Sequence, residues 1–235
     1  STSSYAGYER CLATDMIQAV LFDLDETLVD RTETMRKFLM GQHKRVTALN
    51  SMDCFEYVDA CLKYQENGYA DKHDAYKLAC EAIGPSVANL ADLLVEDFKE
   101  YYGKEPVLFP GVLDTLSILH KSYIMGLVSN GRTKVQAAKI EASGIARFFS
   151  SVCISEAIGV KKPDREIFIK CLDDLSVKPL DAVFVGDNPS LDIEPAKALG
   201  MRAVWRRNGC FPEPQSCDGI YSNIDELPGM LKNVD

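Results

Sequence analysis

Four groups of chemically capable residues are spread along the chain. Asp23-Leu24-Asp25-Glu26-Thr27 sets two carboxylates two positions apart at the end of a short apolar run, Gln18 to Asp23. In an extended segment residues two apart face one side, so Asp23 and Asp25 can address a common ligand. Two neighbouring ionised carboxylates repel, so the pair calls for a proton on one or a cation between them. Ser129-Asn130-Gly131 offers a hydroxyl, a small amide and free backbone N–H groups at a helix start, the donors a phosphate cradle requires. Lys161-Lys162-Pro163-Asp164 brings a mobile positive charge able to neutralise a phosphate. Gly186-Asp187-Asn188-Pro189-Ser190-Leu191-Asp192 adds two carboxylates, hard oxygen donors of the kind that suit magnesium beside a phosphate. Each group alone has an ordinary reading: acids in a solvated turn, a plain turn, surface lysines, Asp192 as a helix cap.

Their positions link them. Gln18 to Asp23, Tyr123 to Ser129, Ala182 to Gly186 and Arg202 to Trp205 are short apolar runs of the kind that form buried parallel strands, and Ser151 to Ile154 is a weaker fifth. Helical spacing separates them: Val112 to His120 with Leu113, Leu116 and Leu119, Lys134 to Ser143 before Gly144, Arg165 to Leu175, and Ile193 to Leu199 before Gly200. Strand and helix alternating from about Val107 onward predict a parallel sheet covered on both faces. Residues 31–104 break the alternation. Met35, Phe38 and Leu39, then Phe55, Val58, Cys61 and Leu62 before Asn67-Gly68, then Leu90, Leu93, Leu94, Phe98 and Tyr101 recur at helical spacing, with no strand-like run between them. The predicted fold is therefore α/β. A Rossmann-like parallel core of residues 15–30 and 105–235 carries an all-helical cap of residues 31–104 inserted after the first strand. The carboxyl ends of parallel strands share one edge, where ligands bind, so the four groups converge there and the insertion lies over them.

With D-x-D-x-T, S-N, K-P and G-D-x-x-x-x-D in this order, the chain from about Ile17 to Asn208 resembles the haloacid dehalogenase superfamily of hydrolases. The helical insertion looks like the first cap type of that family. The resemblance implies a magnesium-dependent phosphatase that forms an aspartyl-phosphate on Asp23, with Asp25 as acid and base. It implies phosphate contacts from Ser129 and Lys162, the lysine directly before Pro163, with Lys161 left open; Asn130 belongs to the same cradle, and Thr27 and Gly131 support the loops. Magnesium would be held by Asp23, the backbone carbonyl of Asp25 and Asp187, with Asp192 a supporting or water-linked ligand. The substrate expected is a small soluble phosphomonoester: a sugar phosphate, phosphoglycolate, a nucleoside monophosphate or an acylneuraminate 9-phosphate. A phosphosugar mutase shares all four motifs and keeps its phosphoenzyme from water. A metal-independent 2-haloacid dehalogenase typically has no acid at the Asp25 position, and a silent binding protein would more often have lost one of the acids.

Bulk properties narrow the field further. The 235 residues are 46% hydrophobic and 26% charged, enough to bury a large core. A net charge of −9 argues against nucleic-acid or anionic-membrane partners, and it requires the site to supply its own positive potential to an anionic substrate. Eight cysteines at irregular spacing, without C-x-x-C, read as free thiols in a reducing compartment, although Cys210 and Cys217 bracket a loop that a bond would close. The polar stretch Ser1 to Thr14 reads as a loose arm rather than a signal peptide, and the cytosol is the expected location. His43, His73 and His120 lack metal-ligand spacing, Arg206-Arg207 read as solvated, and Tyr57, Tyr64, Tyr69 and Tyr76 as packing residues; Arg132 is a candidate substrate contact.

Overall fold

A computed structural model describes residues 16–65, 70–84 and 89–232. The opening arm, Asn67-Gly68 and Tyr69 lie outside the described residues. Six parallel strands form one sheet: β1 Ala19–Phe22, β2 Ile124–Ser129, β3 Ser151–Ile154, β4 Ala182–Gly186, β5 Arg202–Arg206 and β6 Gly219–Tyr221, in the order β3-β2-β1-β4-β5-β6. The helices are α1 Arg31–Arg45, α2 Cys54–Tyr64, α3 Lys72–Ile83, α4 Ala91–Tyr101, α5 Val112–Leu119, α6 Thr133–Ala142, α7 Ser155–Ile158, α8 Arg165–Leu175, α9 Glu194–Ala198 and α10 Leu227–Leu231.

The strands read as continuous apolar runs because both faces are covered. Val20 and Phe22 of β1 join Met125, Leu127, Val183 and Val185 under α5 and α10, while Ala19 and Leu21 join Val128, Phe184 and Trp205 under α8 and α9. Successive side chains point to opposite faces, so one strand feeds two cores. The chain runs outward from β1 to β2 and β3, then returns to the other side of β1 with β4. This reversal makes the β1/β4 boundary a switch point, where an α/β sheet opens a crevice. The register pairs Phe22 with Val185, so Asp23 and Gly186 must emerge side by side.

Between β1 and β2 lie α1 to α4, packed around their own apolar cluster of Met35, Phe38, Leu39, Tyr57, Val58, Cys61, Tyr76, Ala79, Leu94 and Phe98. Asp30, Asp53 and Asp71 cap α1, α2 and α3 by accepting first-turn N–H groups. Gln42, fully buried, ties the four helices together. Its Oε1 accepts from Tyr57 at 2.7 Å and Tyr76 at 2.9 Å, and its Nε2 donates to the Leu94 carbonyl at 2.9 Å and to Asp97 at 3.0 Å. Tyr57 and Tyr76 are thus packing residues, as expected.

The departures from the sequence reading are local. Phe55, Leu93, Tyr101 and Leu113 fall at helical spacing yet are exposed, because each buried stripe is narrower than its run of apolar residues. The helix expected to begin at Ile193 begins one residue later, after a π-helical turn over Pro189–Ile193. Strand β6 was not foreseen: Gly-Ile-Tyr is too short to register as an apolar run. All seven described cysteines are free, Cys210 and Cys217 among them, and Cys11 lies outside the described residues. No helix among the described residues is long and apolar enough to cross a membrane.

Candidate active site

The β1/β4 register delivers the central geometry. Asp23 follows β1 and Asp187 follows β4, and carboxylate oxygens of Asp23, Asp187 and Asp192 all lie within 4.8 Å of one another. All three residues are buried. Lys162, also buried, comes from the loop before α8 and donates to Asp23 Oδ1 at 2.6 Å and to Asp192 Oδ1 at 2.7 Å. An ammonium has three protons, so one remains for a ligand. Lys161 is exposed, and Lys162 alone of the two enters the cluster.

Three carboxylates against one ammonium leave two negative charges unbalanced in a buried space. The proton affinities register the imbalance. Burial, only partly offset by Lys162, and the nearby Asp192 push Asp23 up to about 7. Burial, then Asp23 and Asp192, push Asp187 up to about 8. On Lys162 burial works against the charge, but Asp192 and Asp23 outweigh it and hold the ammonium above its ordinary range. Buried hard oxygen donors with a deficit of two positive charges fit a divalent cation such as magnesium.

Fixed partners hold each acid. Thr27 Oγ1 donates to Asp23 Oδ2 at 3.1 Å, so its hydroxyl acts directly on the acid. Asn208 Nδ2 donates to Asp187 Oδ2 at 2.8 Å, and Trp205 Nε1 donates to the Asp187 carbonyl at 2.6 Å. The backbone N–H of Asn188 donates to Asp192 Oδ2 at 3.1 Å. Asp192 is not the helix cap: Asn188 is, accepting from the Ser190 and Leu191 N–H groups, which leaves Asp192 free to face Lys162. Gly186 is required here, since a Cβ would stand 2.5 Å from Asp192 Oδ2.

Asp25 differs from expectation. Its carboxylate does not join the three-acid cluster; Oδ1 accepts from Lys139 Nζ at 2.7 Å and Oδ2 from Gln136 Nε2 at 2.9 Å. The repulsion expected within the acid pair is relieved by two separate cations, Lys162 for Asp23 and Lys139 for Asp25. Burial opposes the charge on Asp25, but Lys139 and Arg31 prevail and hold its carboxyl below the usual range. Lys139, itself buried, is held above its ordinary range by Asp25 despite the cost of burial.

The Ser129 turn is also wired differently from a bare cradle. Ser129 Oγ accepts from Gln136 Nε2 at 2.7 Å, leaving the hydroxyl proton free to donate. Asn130 turns its amide to the Lys162 backbone, donating to the carbonyl at 3.0 Å and accepting from the N–H at 2.8 Å. It positions Lys162 rather than presenting its side chain as a phosphate ligand. The Gly131 N–H is taken by Ser155 Oγ at 3.0 Å, so it is not a free donor; a Cβ on Gly131 would stand 2.9 Å from Gln136 Cγ, and the glycine makes room for that side chain.

Gln136, Lys139 and Asn208 were missed from sequence. The first two stand three apart on α6, one turn after the Ser129 loop, and a polar pair on the inward side of that helix was the available sign. Arg206 is not solvated: its guanidinium lies 3.7 Å from the Phe109 ring centroid and donates to the Glu26 carbonyl at 2.6 Å, bracing the Asp23–Thr27 loop. Arg207 pairs with exposed Glu213, as a solvated residue would. Arg132 is exposed at the start of α6.

The family model described as haloacid dehalogenase-like hydrolase matches residues 20–206. A glyceraldehyde 3-phosphate phosphatase of Methanopyrus kandleri is 32% identical over 93% of this chain and 97% of its own. The N-acylneuraminate-9-phosphatase of Homo sapiens is 28% identical over 93% of this chain and 95% of its own. Among solved structures, a 2-haloacid dehalogenase from Pseudomonas syringae superposes with a TM-score of 0.63 at 27% identity, covering 94% of this chain and all (100%) of that one. A HAD phosphatase from Thermococcus onnurineus gives a TM-score of 0.63 at 25% identity over 92% of this chain and 98% of its own.

Proposed function

Because the chain belongs to the haloacid dehalogenase-like hydrolases, we propose that it is a phosphatase that hydrolyses a small phosphomonoester through an aspartyl-phosphate on Asp23, with magnesium at the acid cluster. One observation carries this reading: Asp23, Asp187 and Asp192 meet around Lys162 at the switch point of the sheet. Curated relatives that match over nearly the whole chain are phosphatases of small phosphorylated metabolites by name, which supports the same class.

In this reading Asp23, Asp187 and the Asp25 backbone carbonyl would hold the ion, with Asp192 as a supporting or water-linked ligand. When bound, magnesium supplies positive charge that lets Asp23 stay ionised and neutralises phosphoryl oxygens. Thr27 and Lys162 fix the Asp23 carboxylate for in-line attack. The Asp23 O–P bond forms as the P–O bond to the leaving alcohol breaks. The free proton of Lys162 and the hydroxyl proton of Ser129 meet the charge on the transferred group. Asp25 gives a proton to the departing alkoxide, then takes one from the water that opens the acyl phosphate. Lys139 and Gln136 hold Asp25 as a carboxylate, the state that the second step needs. Donating a proton in the first step therefore requires Asp25 to come off those partners.

The test is a phosphate-release screen over a panel of metabolite esters, with and without magnesium, on the wild type and on Asp23→Asn. Release that needs magnesium and falls at least roughly 10³-fold in the variant, with the fold retained by circular dichroism, is the expected outcome. Near-normal turnover by the variant refutes the proposal. A 2-haloacid dehalogenase reading is disfavoured by the buried acid cluster, because displacement at carbon has no need of the cation that such a cluster demands.

A further inference from the structure

On the side of Asp25 facing the helical insertion stands a group of three cations, of which the chemistry above uses Lys139 alone. Arg31 opens α1, Lys72 opens α3, and Lys139 lies in α6. They are close enough to act on one another: Arg31 favours the charged form of Asp25 and opposes a proton on Lys139, and both Arg31 and Lys139 oppose one on Lys72. Lys72 Nζ stands 5.5 Å from the Phe98 ring centroid and Lys139 Nζ 5.1 Å from that of Tyr102, and these two rings stack at 4.5 Å. The two ammoniums thus flank one aromatic pair.

Little answers them. Among the described residues Lys72 and Arg31 enter no ion pair, and the hydrogen bond of Lys72 is a long one, 3.4 Å to Gln65 Oε1. Two buried donors beside them are idle. Among the described residues Gln65, 4% exposed, has no partner for Nε2, and Tyr102, 7% exposed, has none for its hydroxyl. The Gln65 amide is the one that holds Lys72, and the Tyr102 ring is the one under Lys139, so both idle donors border the cations. A solvated surface lysine would show none of this. Burial, then Arg31, draw Lys72 down to about 8. Lys72 and Arg31, in no ion pair among the described residues, next to buried donors unpartnered among those residues, describe a place for an anion.

We propose that this is a subsite for a second anionic group of the substrate, a carboxylate carried by the leaving alcohol. The proposal rests on the phosphomonoester reading, with the phosphoryl group at Asp23 and Lys162, and the alcohol leaving past Asp25 toward the helices. The negative charge of Asp25 alongside disfavours a second phosphate dianion. One free ammonium, one amide and one hydroxyl match the two oxygens of a carboxylate.

The test compares 2-phosphoglycolate with ethyl phosphate, which differ by a carboxylate in place of a methyl group, and glucose 1,6-bisphosphate with glucose 1-phosphate. The wild type should favour phosphoglycolate in kcat/KM by roughly tenfold or more, chiefly through KM, as expected for a charged hydrogen bond. Lys72→Met should bring that ratio close to one and Lys72→Arg should restore much of it. Equal kcat/KM for the first pair, or a preference that survives Lys72→Met, overturns the subsite. A preference for the bisphosphate without one for phosphoglycolate overturns the carboxylate assignment. Failure to release phosphate from any of the four overturns the phosphatase reading beneath it.

Discussion

With magnesium bound at the acid cluster as proposed, its effect on stability becomes a function of pH, and the size of the effect follows from the geometry of the cluster. In the metal-free fold Asp23 and Asp187 hold their protons up to about 7 and about 8, against an ordinary 3.8. An acid whose folded pKa is raised contributes stability fully below its unfolded pKa, and loses it as pH rises through the folded one. Metal-free protein should therefore lose stability from pH 4 to pH 8. One unit is worth about 1.36 kcal/mol, so the Asp187 shift alone corresponds to about 6 kcal/mol. Asp23 and Asp187 raise each other, so their contributions overlap and do not add.

Magnesium must displace those protons. At pH 8.5 the two acids are largely ionised, and the ion meets two unbalanced charges. At pH 5.5 it has to strip two protons, and its affinity drops by roughly 10³ to 10⁴. At about 100 times its dissociation constant the ion adds about 2.7 kcal/mol. For a chain of this size that raises Tm by about 5–10 °C at pH 8.5. The same magnesium concentration should give almost no shift at pH 5.5. Scanning fluorimetry on EDTA-treated protein reads both values, and titration calorimetry in buffers of different ionisation enthalpy counts the protons released. Asp187→Asn should flatten the difference between the two pH values. A magnesium shift equal at both, or none at pH 8.5 with millimolar ion, would refute the charge-deficit argument.

Two further outcomes test the framework around the cluster. Gly186→Ala places a Cβ 2.5 Å from Asp192 Oδ2, so that side chain must shift; the variant should cut phosphate release by roughly 10² and shrink the magnesium-dependent Tm gain. A normal thermal response to magnesium in that variant would show that Asp192 can be re-seated without loss. Gln42→Leu strips the acceptor from two buried tyrosine hydroxyls and should cost about 2–5 kcal/mol, seen by calorimetry as a Tm lower by roughly 5–15 °C. An unchanged Tm would mean that the helices do not depend on that junction.

The sheet and its acids were legible because both follow from local rules. Apolar runs buried on two faces mark β1, β2, β4 and β5, and an acid placed directly after such a run has to stand at the strand tip. What the sequence hid was orientation. Asp25 lies two residues from Asp23 in the direction that strand geometry would align, yet the chain leaves β1 at Phe22, and Asp25 turns to α6. Alternation ends where the strand ends. Asn130 reads as a phosphate donor by type, and only its distance to the Lys162 backbone reveals a clamp. Lys139 looks like one more surface lysine on a mixed helix until its burial against Asp25 is seen. Arg206 is hidden similarly, since the loop it braces lies 180 residues earlier in the chain.

The net charge of −9 and the handling of an anion are reconciled by where the cations sit. Lys162 and Lys139 are both buried, and each is tied to an acid of the first loop. A buried lysine without a partner would shed its proton, because burial alone lowers its pKa. The acids keep these two charged, and the lysines in turn keep Asp25 ionised and limit the rise of Asp23. Removing an acid would therefore cost more than its own chemistry: without Asp25, Lys139 would be left charged and uncompensated, or neutral, and without Asp23 or Asp192, Lys162 would lose one of its two carboxylate partners. Retention of Asp23, Asp25 and Asp192 is in this sense a condition for positive charge at the site, and through it for any phosphate chemistry on so acidic a chain.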